Sequence, residues 1–144
     1  MGFGFPAAIG AKVAKPDIPV IDIAGDGSFL MTENSLATSV EEQIPVTVII
    51  LNNRMLGMVA QWQRFFYQRR YSGVQLGKVP DFIKLAEAYG AIGVRVNTTQ
   101  ELESTVTRAI GSQVTTVIDV PISPEENVLP MLSPGAGIKE MIIG

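Results

Sequence analysis

Two polar turns, separated by a fixed length of chain, constrain the fold more than any other feature. Asp26 lies between Gly25 and Gly27 after one apolar run, and Asn52 and Asn53 follow the next apolar run. The 24 residues between the two turns suffice for a helix of roughly 14 to 16 residues and a second strand. Such a crossover brings both strand ends to the same edge of a parallel sheet. A carboxylate and a carboxamide that meet there are oxygen ligands suited to Mg²⁺ holding a diphosphate.

The rest of the chain alternates strands with helices, which predicts an α/β fold with a doubly wound parallel sheet and helices on both faces. We predict a domain over residues 1–124 and a C-terminal tail over residues 125–144. The opening residues read as a turn that normally follows a strand, so we expect the first strand of the sheet to be missing. The predicted strands are 19–24, 46–51, 92–96 and 115–120. The predicted helices are 7–13, 29–42, 81–89 and 98–112 with their caps, and a short helix is predicted near 138–143. The last of the four longer helices is predicted to face inward with Leu102, Val106, Ala109 and Ile110. An irregular aromatic-rich segment covers 53–77.

Composition excludes several classes of function. The chain has no histidine and no cysteine, which removes Ser-His-Asp and Cys-His catalysis, imidazole and thiolate metal sites, and disulfides. The net charge of −3 argues against a nucleic-acid partner. No apolar run approaches the about 20 residues of a membrane span. No signal peptide is recognisable, so we expect a cytoplasmic protein.

The turn at Asp26 also has the features of an anion site. On its own it is a weak signal, because most Asp-Gly turns bind nothing. It ends a strand and precedes a predicted helix, so Gly27 and Ser28 would present N–H groups at a helix N-terminus, where phosphates bind. Asn52 and Asn53 at the end of the next apolar strand favour this interpretation over a plain turn.

Several segments together resemble a known family. The Gly-Asp-Gly and Asn-Asn pair is similar to the thiamine diphosphate motif of thiamine-dependent enzymes, and the chain resembles the C-terminal third of the large subunit of acetolactate synthase (acetohydroxyacid synthase). The segments that carry the resemblance are residues 1–11, residues 25–31 (Gly-Asp-Gly-Ser-Phe-Leu-Met), residues 51–53 (Leu-Asn-Asn), residues 57–63 (Gly-Met-Val-Ala-Gln-Trp-Gln) and residues 128–131 (Val-Leu-Pro-Met).

The resemblance implies a set of site residues. The implied metal ligands are the side chains of Asp26 and Asn53 and the backbone carbonyl of Met55. The implied substrate pocket, for a second 2-oxoacid, includes Val59 and Trp62. The residues implied to bind thiamine diphosphate are Met1, Gly25, Gly27, Ser28, Asn53, Gly57 and Met58.

The resemblance also implies an activity and partners. The whole enzyme decarboxylates pyruvate and joins the product to a second 2-oxoacid, in branched-chain amino-acid biosynthesis. The activating glutamate comes from the pyrimidine-binding domain of a partner subunit, so we expect no catalytic residue in this chain, which should be inactive alone. Mg²⁺ and thiamine diphosphate are the implied cofactors, with FAD held mostly outside this chain. A homo-oligomer and a regulatory subunit are the implied assembly.

Three alternatives remain open. Another thiamine enzyme, of the glyoxylate carboligase or pyruvate oxidase type, would share the cofactor motif, although the segment around Trp62 argues against it. A dinucleotide-binding module is suggested by Gly2-x-Gly4-x-x-Ala7, but that fingerprint requires a preceding strand and leaves Asn52 and Asn53 unexplained. A non-catalytic partner subunit that keeps the fold without the chemistry is the third.

Overall fold

A computed structural model describes residues 1–78 and 80–143 of the chain. Its centre is a sheet of four parallel strands in the order β1-β2-β4-β3. The strands are β1 (Ile21–Gly25), β2 (Thr47–Asn52), β3 (Ile92–Arg95) and β4 (Thr116–Pro121). Parallel pairing throughout, with helices between the strands, confirms the predicted α/β class.

Residues 1–78 and 80–143 form six α-helices in addition to the sheet. They are α1 (Gly4–Ala14), α2 (Asp26–Phe29), α3 (Ser35–Glu41), α4 (Gly57–Phe66), α5 (Phe82–Ala88) and α6 (Thr99–Ile110), and a 3₁₀ turn covers Ile138–Glu140. Within the part of the chain that the structure describes, no helix combines the length and the apolarity needed to cross a bilayer.

Apolar side chains cover both faces of the sheet, as predicted for a doubly wound fold. On one face, a core formed by α1, α2, α3 and α5 packs on the sheet. In this core the Phe29 ring contacts those of Phe5 and Phe82 in tilted and edge-to-face arrangements, and Leu36 is fully buried. On the other face, Ala109 of α6 packs with Ile118 of β4 in a smaller cluster. The second face is covered only in part, because Ile23 on β1 is 69% exposed and Leu51 near the end of β2 is 38% exposed.

Two predicted helix starts are confirmed in atomic detail. The side chain of Asp81 accepts hydrogen bonds from the backbone N–H groups of Ile83 and Lys84, which caps α5. Thr98 accepts from Glu101 N–H at the start of α6, and the Glu101 carboxylate accepts from the N–H of the residue before Thr98. Such reciprocal bonds satisfy N–H groups that have no partner within the helix.

The structure corrects three details of the predicted elements. The helix predicted over 29–42 is two helices, α2 and α3, because residues 30–34 form successive turns closed by i to i−3 hydrogen bonds. The irregular segment predicted over 53–77 contains α4, whose clustered aromatic residues obscured the helical period. Ile110, predicted to face inward, is exposed, and Thr105 is the buried polar residue of α6.

Candidate functional site

The two polar turns converge at the carboxyl edge of the sheet. Strand β1 pairs with β2 so that Gly25 lies beside Leu51, which places the residues that follow each strand next to one another. Asp26 is the first residue of α2 and is buried, while Asn52 is the last residue of β2 and Asn53 follows it. The crossover predicted from the spacing therefore exists, with two short helices inside it.

A cavity of about 380 Å³ opens at this edge. Nearly all of the residues predicted from the resemblance line it: Met1, Gly25, Asp26, Gly27, Ser28, Asn53, Met55, Gly57, Met58 and Val59. The exception is Trp62, which lines a second cavity of about 830 Å³. Because Met58 and Val59 line both cavities, the two spaces adjoin at the start of α4.

Asp26 is the strongest candidate for holding a cation. Its Oδ1 atom accepts a hydrogen bond of 2.7 Å from the N–H of Gly27, but its Oδ2 atom is buried and has no hydrogen-bond partner. Burial raises the pKa of Asp26 above its ordinary value, and the Gly27 N–H acts in the opposite direction. A cation at Oδ2 would supply the missing partner and stabilise the ionised carboxylate.

The turn after β2 has a fixed shape. The side-chain oxygen of Asn53 accepts from Met55 N–H at 3.0 Å, and Arg54 adopts a φ of 59°. A neighbouring segment braces the same turn, because Leu56 N–H donates to Val74 O at 2.8 Å. A β-carbon at Gly57 would lie 3.0 Å from the Asn53 amide nitrogen, so the close approach of α4 favours glycine there.

Among the described residues, no cluster of three or more Asp, Glu, His or Cys side chains is placed to hold a metal ion. A metal at this edge would therefore combine the Asp26 carboxylate with neutral oxygens, such as the Asn53 amide and the Met55 carbonyl. Mg²⁺ accepts such mixed oxygen sets and completes its shell with water and phosphate oxygens.

The side chains of Leu56 and Met1 lie close to the backbone at Gly27. A β-carbon at this position would lie 2.7 Å from Leu56 Cδ2 and 3.5 Å from Met1 Cε, so only glycine fits without movement of its neighbours. Ser28 Oγ accepts a hydrogen bond of 3.1 Å from Gly2 N–H, which ties the start of the chain to this turn. The Ser28 hydroxyl hydrogen stays available to donate to an anion.

Two residues that support the site were not predicted from the sequence, Asp119 on β4 and Arg95 on β3. Asp119 is fully buried, and its Oδ1 atom accepts from the side-chain amide of Asn52 at 2.8 Å. Its Oδ2 atom receives Nε and Nη2 of Arg95, each at 2.8 Å. The pair therefore anchors the polar turn from behind. An acidic residue inside the apolar run 115–120 was the available signal, since a buried carboxylate requires a partner.

The second cavity has an aromatic and a cationic wall. Trp62 is 37% exposed, and its ring meets that of Phe66 edge to face at 5.4 Å. The remaining lining residues are Gln63, Tyr67, Arg70 and Ser72. An apolar pocket with a few polar groups suits a small organic molecule that carries a carboxylate.

Comparison with known sequences agrees with this geometry. The sequence profile of the family described as "Thiamine pyrophosphate enzyme, C-terminal TPP binding domain" matches residues 1–120 of the chain. The chain belongs to the thiamine pyrophosphate enzyme family, as its C-terminal, cofactor-binding domain. The cofactor of this family is thiamine diphosphate (thiamine pyrophosphate).

Similar proteins confirm the predicted resemblance to acetolactate synthase large subunits. The chain is 50% identical over 142 residues to a probable acetolactate synthase large subunit of Methanocaldococcus jannaschii, covering 99% of the chain and 24% of that protein. It is 48% identical to the mitochondrial acetolactate synthase catalytic subunit of Saccharomyces cerevisiae, covering 99% and 20%. The chain thus spans about a quarter or less of the curated relatives it matches.

A solved structure supports the fold independently. A thiamine diphosphate-dependent 4-hydroxybenzoylformate decarboxylase of Rhodococcus jostii superimposes with a TM-score of 0.80 at 34% identity, covering 85% of the chain and 23% of that protein. The thiamine enzyme fold is therefore shared by proteins whose names denote different reactions.

The described residues of the cavity fit a thiamine diphosphate bound through a divalent cation. The Asp26 Oδ2 atom has no hydrogen-bond partner, so a cation would stabilise its charge, and the adjoining Gly27 has no side chain to cover its backbone N–H group. The start of α2 adds N–H groups that no helical partner satisfies. These three properties match a cation and a diphosphate better than an apolar ligand.

Proposed function

We propose that this chain is the thiamine diphosphate- and Mg²⁺-binding part of an acetolactate synthase large subunit. The observation that carries the proposal is the buried, partnerless Oδ2 atom of Asp26, a residue that lines a cavity together with the expected cofactor-binding residues. The identities of 41–50% to acetolactate synthase large subunits, over nearly the whole chain, support the choice of enzyme.

The residues divide into three roles. Asp26, Asn53 and the carbonyl of Met55 would hold Mg²⁺. The turn of Gly25, Gly27 and Ser28 would bind the diphosphate oxygens through N–H and hydroxyl donors, since both groups lie at the start of α2. Met1, Gly57 and Met58 would flank the organic part of the cofactor.

When bound, thiamine diphosphate supplies an electron sink for the decarboxylation of a 2-oxoacid. The described residues of this chain would bind the cofactor, fix its orientation and exclude water from the cavity. Trp62 and Val59 would then shape the adjoining cavity for the second 2-oxoacid, because Val59 lies at the boundary of the two spaces. This adjoining space favours carbon–carbon bond formation over simple decarboxylation.

The remaining parts of the enzyme would come from outside this chain. We propose that the pyrimidine-binding domain of a partner subunit supplies the activating glutamate, that FAD binds mostly outside these 144 residues, and that the assembly is at least a homodimer. On this proposal the isolated chain binds cofactor weakly and has no activity, and residues 125–144 form a tail on the cofactor domain.

A titration with the full chain tests the cofactor site. Trp62 is the only tryptophan, so its emission can follow binding of thiamine diphosphate in Mg²⁺ and in EDTA. We expect saturable binding of thiamine diphosphate in the presence of Mg²⁺ but not in EDTA, and we expect Asp26→Asn to abolish the binding. Asp17→Asn, an exposed change before β1, is the matched control and should bind normally. Binding that survives both EDTA and Asp26→Asn would refute the metal assignment.

A chimera tests the reaction. The C-terminal quarter of the Escherichia coli acetolactate synthase isozyme 2 large subunit, which is 42% identical to this chain, would be replaced by residues 1–144. We expect acetolactate from pyruvate, measured colorimetrically, and a changed preference for the second 2-oxoacid in Trp62→Leu. A chimera that binds cofactor but releases only acetaldehyde would favour a decarboxylase instead.

A further inference from the structure

Helix α4 presents polar side chains to the C-terminal tail as well as apolar ones to the cavities. Met58, Val59 and Trp62 line the two cavities, and Gln61 and Arg64, one turn apart, contact the tail. Gln61 also lines the cofactor cavity, whereas Arg64 does not. Both of these polar side chains are almost completely buried, at 2% for Gln61 and 6% for the Arg64 side chain. Buried polar groups of this size require partners, and here the tail supplies them.

Gln61 pairs with the backbone of Val128 in both directions. Its Nε2 atom donates to Val128 O at 2.9 Å, and its Oε1 atom accepts from Val128 N–H at 2.7 Å. The same Nε2 atom lies 3.0 Å from Met131 Sδ. The side-chain amide of Gln61 therefore satisfies both backbone hydrogen-bonding groups of Val128, as a paired β-strand would. These two bonds fix the position and the direction of the chain at residue 128.

Arg64 holds the preceding part of the tail. Its guanidinium donates to the carbonyl oxygens of Pro124 at 2.8 Å and Glu125 at 2.9 Å, and to the side-chain oxygen of Asn127. Its Nε atom donates to the Tyr71 hydroxyl at 3.2 Å. The charge lies 3.5 Å from the exposed Glu125 carboxylate, which adds little, so the backbone contacts determine the geometry.

The segment held in this way is part of the cofactor cavity. Glu126, Asn127 and Val128 line the same space as Asp26 and Ser28, on the side formed by the tail. We propose that Gln61 and Arg64 are positioning residues that hold residues 124–128 as one wall of the cofactor cavity. The inference rests on the proposed function for its ligand, while the contacts themselves are independent of it.

A single helix thereby links the two cavities to the tail. The far end of the tail is fastened separately, because Met131 and Ile142 exchange two backbone hydrogen bonds of 2.9 and 2.8 Å. Loss of the α4 contacts should therefore free residues 124–128 as a loop between two fixed points. The cavity would lose one wall, while the sheet and the Asp26 turn stay in place.

Amide hydrogen exchange of the full chain, followed by NMR, tests the contacts. In Gln61→Met and Arg64→Met, we expect the Val128 amide, whose N–H donates to Gln61 Oε1, to exchange about tenfold faster, which is the loss of roughly one buried hydrogen bond. The matched controls are Gln100→Met and Arg108→Met on the exposed face of α6, which should leave this amide unchanged. Unchanged exchange at Val128 in the Gln61 and Arg64 variants would overturn the proposal.

Cofactor titration of the same variants tests the wall. With Mg²⁺ present, we expect the Kd for thiamine diphosphate to rise about tenfold in Arg64→Met, together with unaltered Trp62 emission before cofactor is added. Arg64 is the variant to use because it does not line the cavity, so it can act on the cofactor only through the tail. Faster tail exchange with an unchanged Kd would overturn the role as a cavity wall.

Circular dichroism would show whether the α4 variants unfold. If they do, Val128 amide exchange in the wild-type chain, with and without cofactor, tests the proposal instead. Saturating cofactor should then slow Val128 exchange, and unchanged exchange on binding would refute the proposal. If the wild-type chain binds no cofactor, the proposed function fails, and the exchange rates of the variants still decide whether α4 holds the tail.

Discussion

Arg95→Met is expected to destabilise the chain strongly, because it leaves the Asp119 carboxylate buried without its cationic partner. Asp119 is fully buried, and two of its three close hydrogen bonds come from Arg95. Removal of one partner of a buried ion pair costs about 3 to 5 kcal/mol. We expect the low end, about 3 kcal/mol, because Asn52 still donates to Oδ1 and because the Arg95 side chain is 41% exposed, which gives water a path to the carboxylate.

A double-mutant cycle measured by urea unfolding separates this charge effect from packing. Asp119→Asn should cost only about 1 kcal/mol, because an amide oxygen can still accept from Asn52. In that background no charge is buried, so Arg95→Met should cost about 1 kcal/mol instead of about 3. The expected coupling is therefore on the order of 2 kcal/mol, and the single Arg95 variant should melt roughly 9 °C lower.

The result that would refute this reasoning is an equal cost of Arg95→Met in both backgrounds. Equal costs would mean that the guanidinium acts through its packing and leaves the Asp119 charge solvated. Lys84→Met, a change of an exposed cation on α5, is the matched control and should stay within about 0.5 kcal/mol of the wild type.

Three further predictions follow from individual contacts. Gly27→Ala should lower stability by about 1 to 3 kcal/mol and weaken cofactor binding in a titration, because its β-carbon would overlap Leu56, whereas Gly25→Ala, with open space around it, should change stability little. Burial raises the pKa of Asp22 in the folded chain above its ordinary value of 3.8. The unfolded chain therefore ionises more readily, and the chain should lose stability as the pH rises from about 3.8 through the folded-state pKa. The free energy of unfolding of Asp22→Asn, relative to the wild type, should therefore be higher at pH 7 than at pH 4 in urea unfolding. An equal difference between variant and wild type at both pH values would contradict this. Thr98→Ala should cost about 1 kcal/mol through loss of the α6 cap, measured by thermal unfolding.

Prediction from the sequence worked where the signal is local. Strands β1, β2, β3 and β4 were placed within about two residues, because buried parallel strands are short apolar runs between turn residues. The caps at Asp81 and Thr98 were recognisable because a cap and its partners lie within four residues of one another. Prediction was weaker for α3 and α4, since the turn at 30–34 and the aromatic cluster at 62–66 disturb the helical period.

The position of the cavity was predictable in part, because two of its residues are related by a short spacing along the chain. Asp26 and Asn53 belong to two adjacent strand ends, and the length of one crossover determines that they meet. The resemblance then added Met1, Met58 and Val59, which the residues alone would not have assigned to a ligand. The wall formed by residues 126–128 was not predicted, although residues 128–131 contribute to the resemblance, because no residue type there indicates a contact with α4 or with a ligand.

The sequence by itself determined the alternation of strands and helices, the edge of the sheet where the polar turns meet, and the family. These properties depend on periodicity and on short spacings, which residue types record directly. Only the tertiary structure decided that Asp119 lies behind Asn52 and that Gln61 holds Val128, in each case a contact across 67 residues. The physical reason is that such partners are selected by burial: a buried carboxylate or amide must find a hydrogen bond, and the fold determines which distant group is within reach.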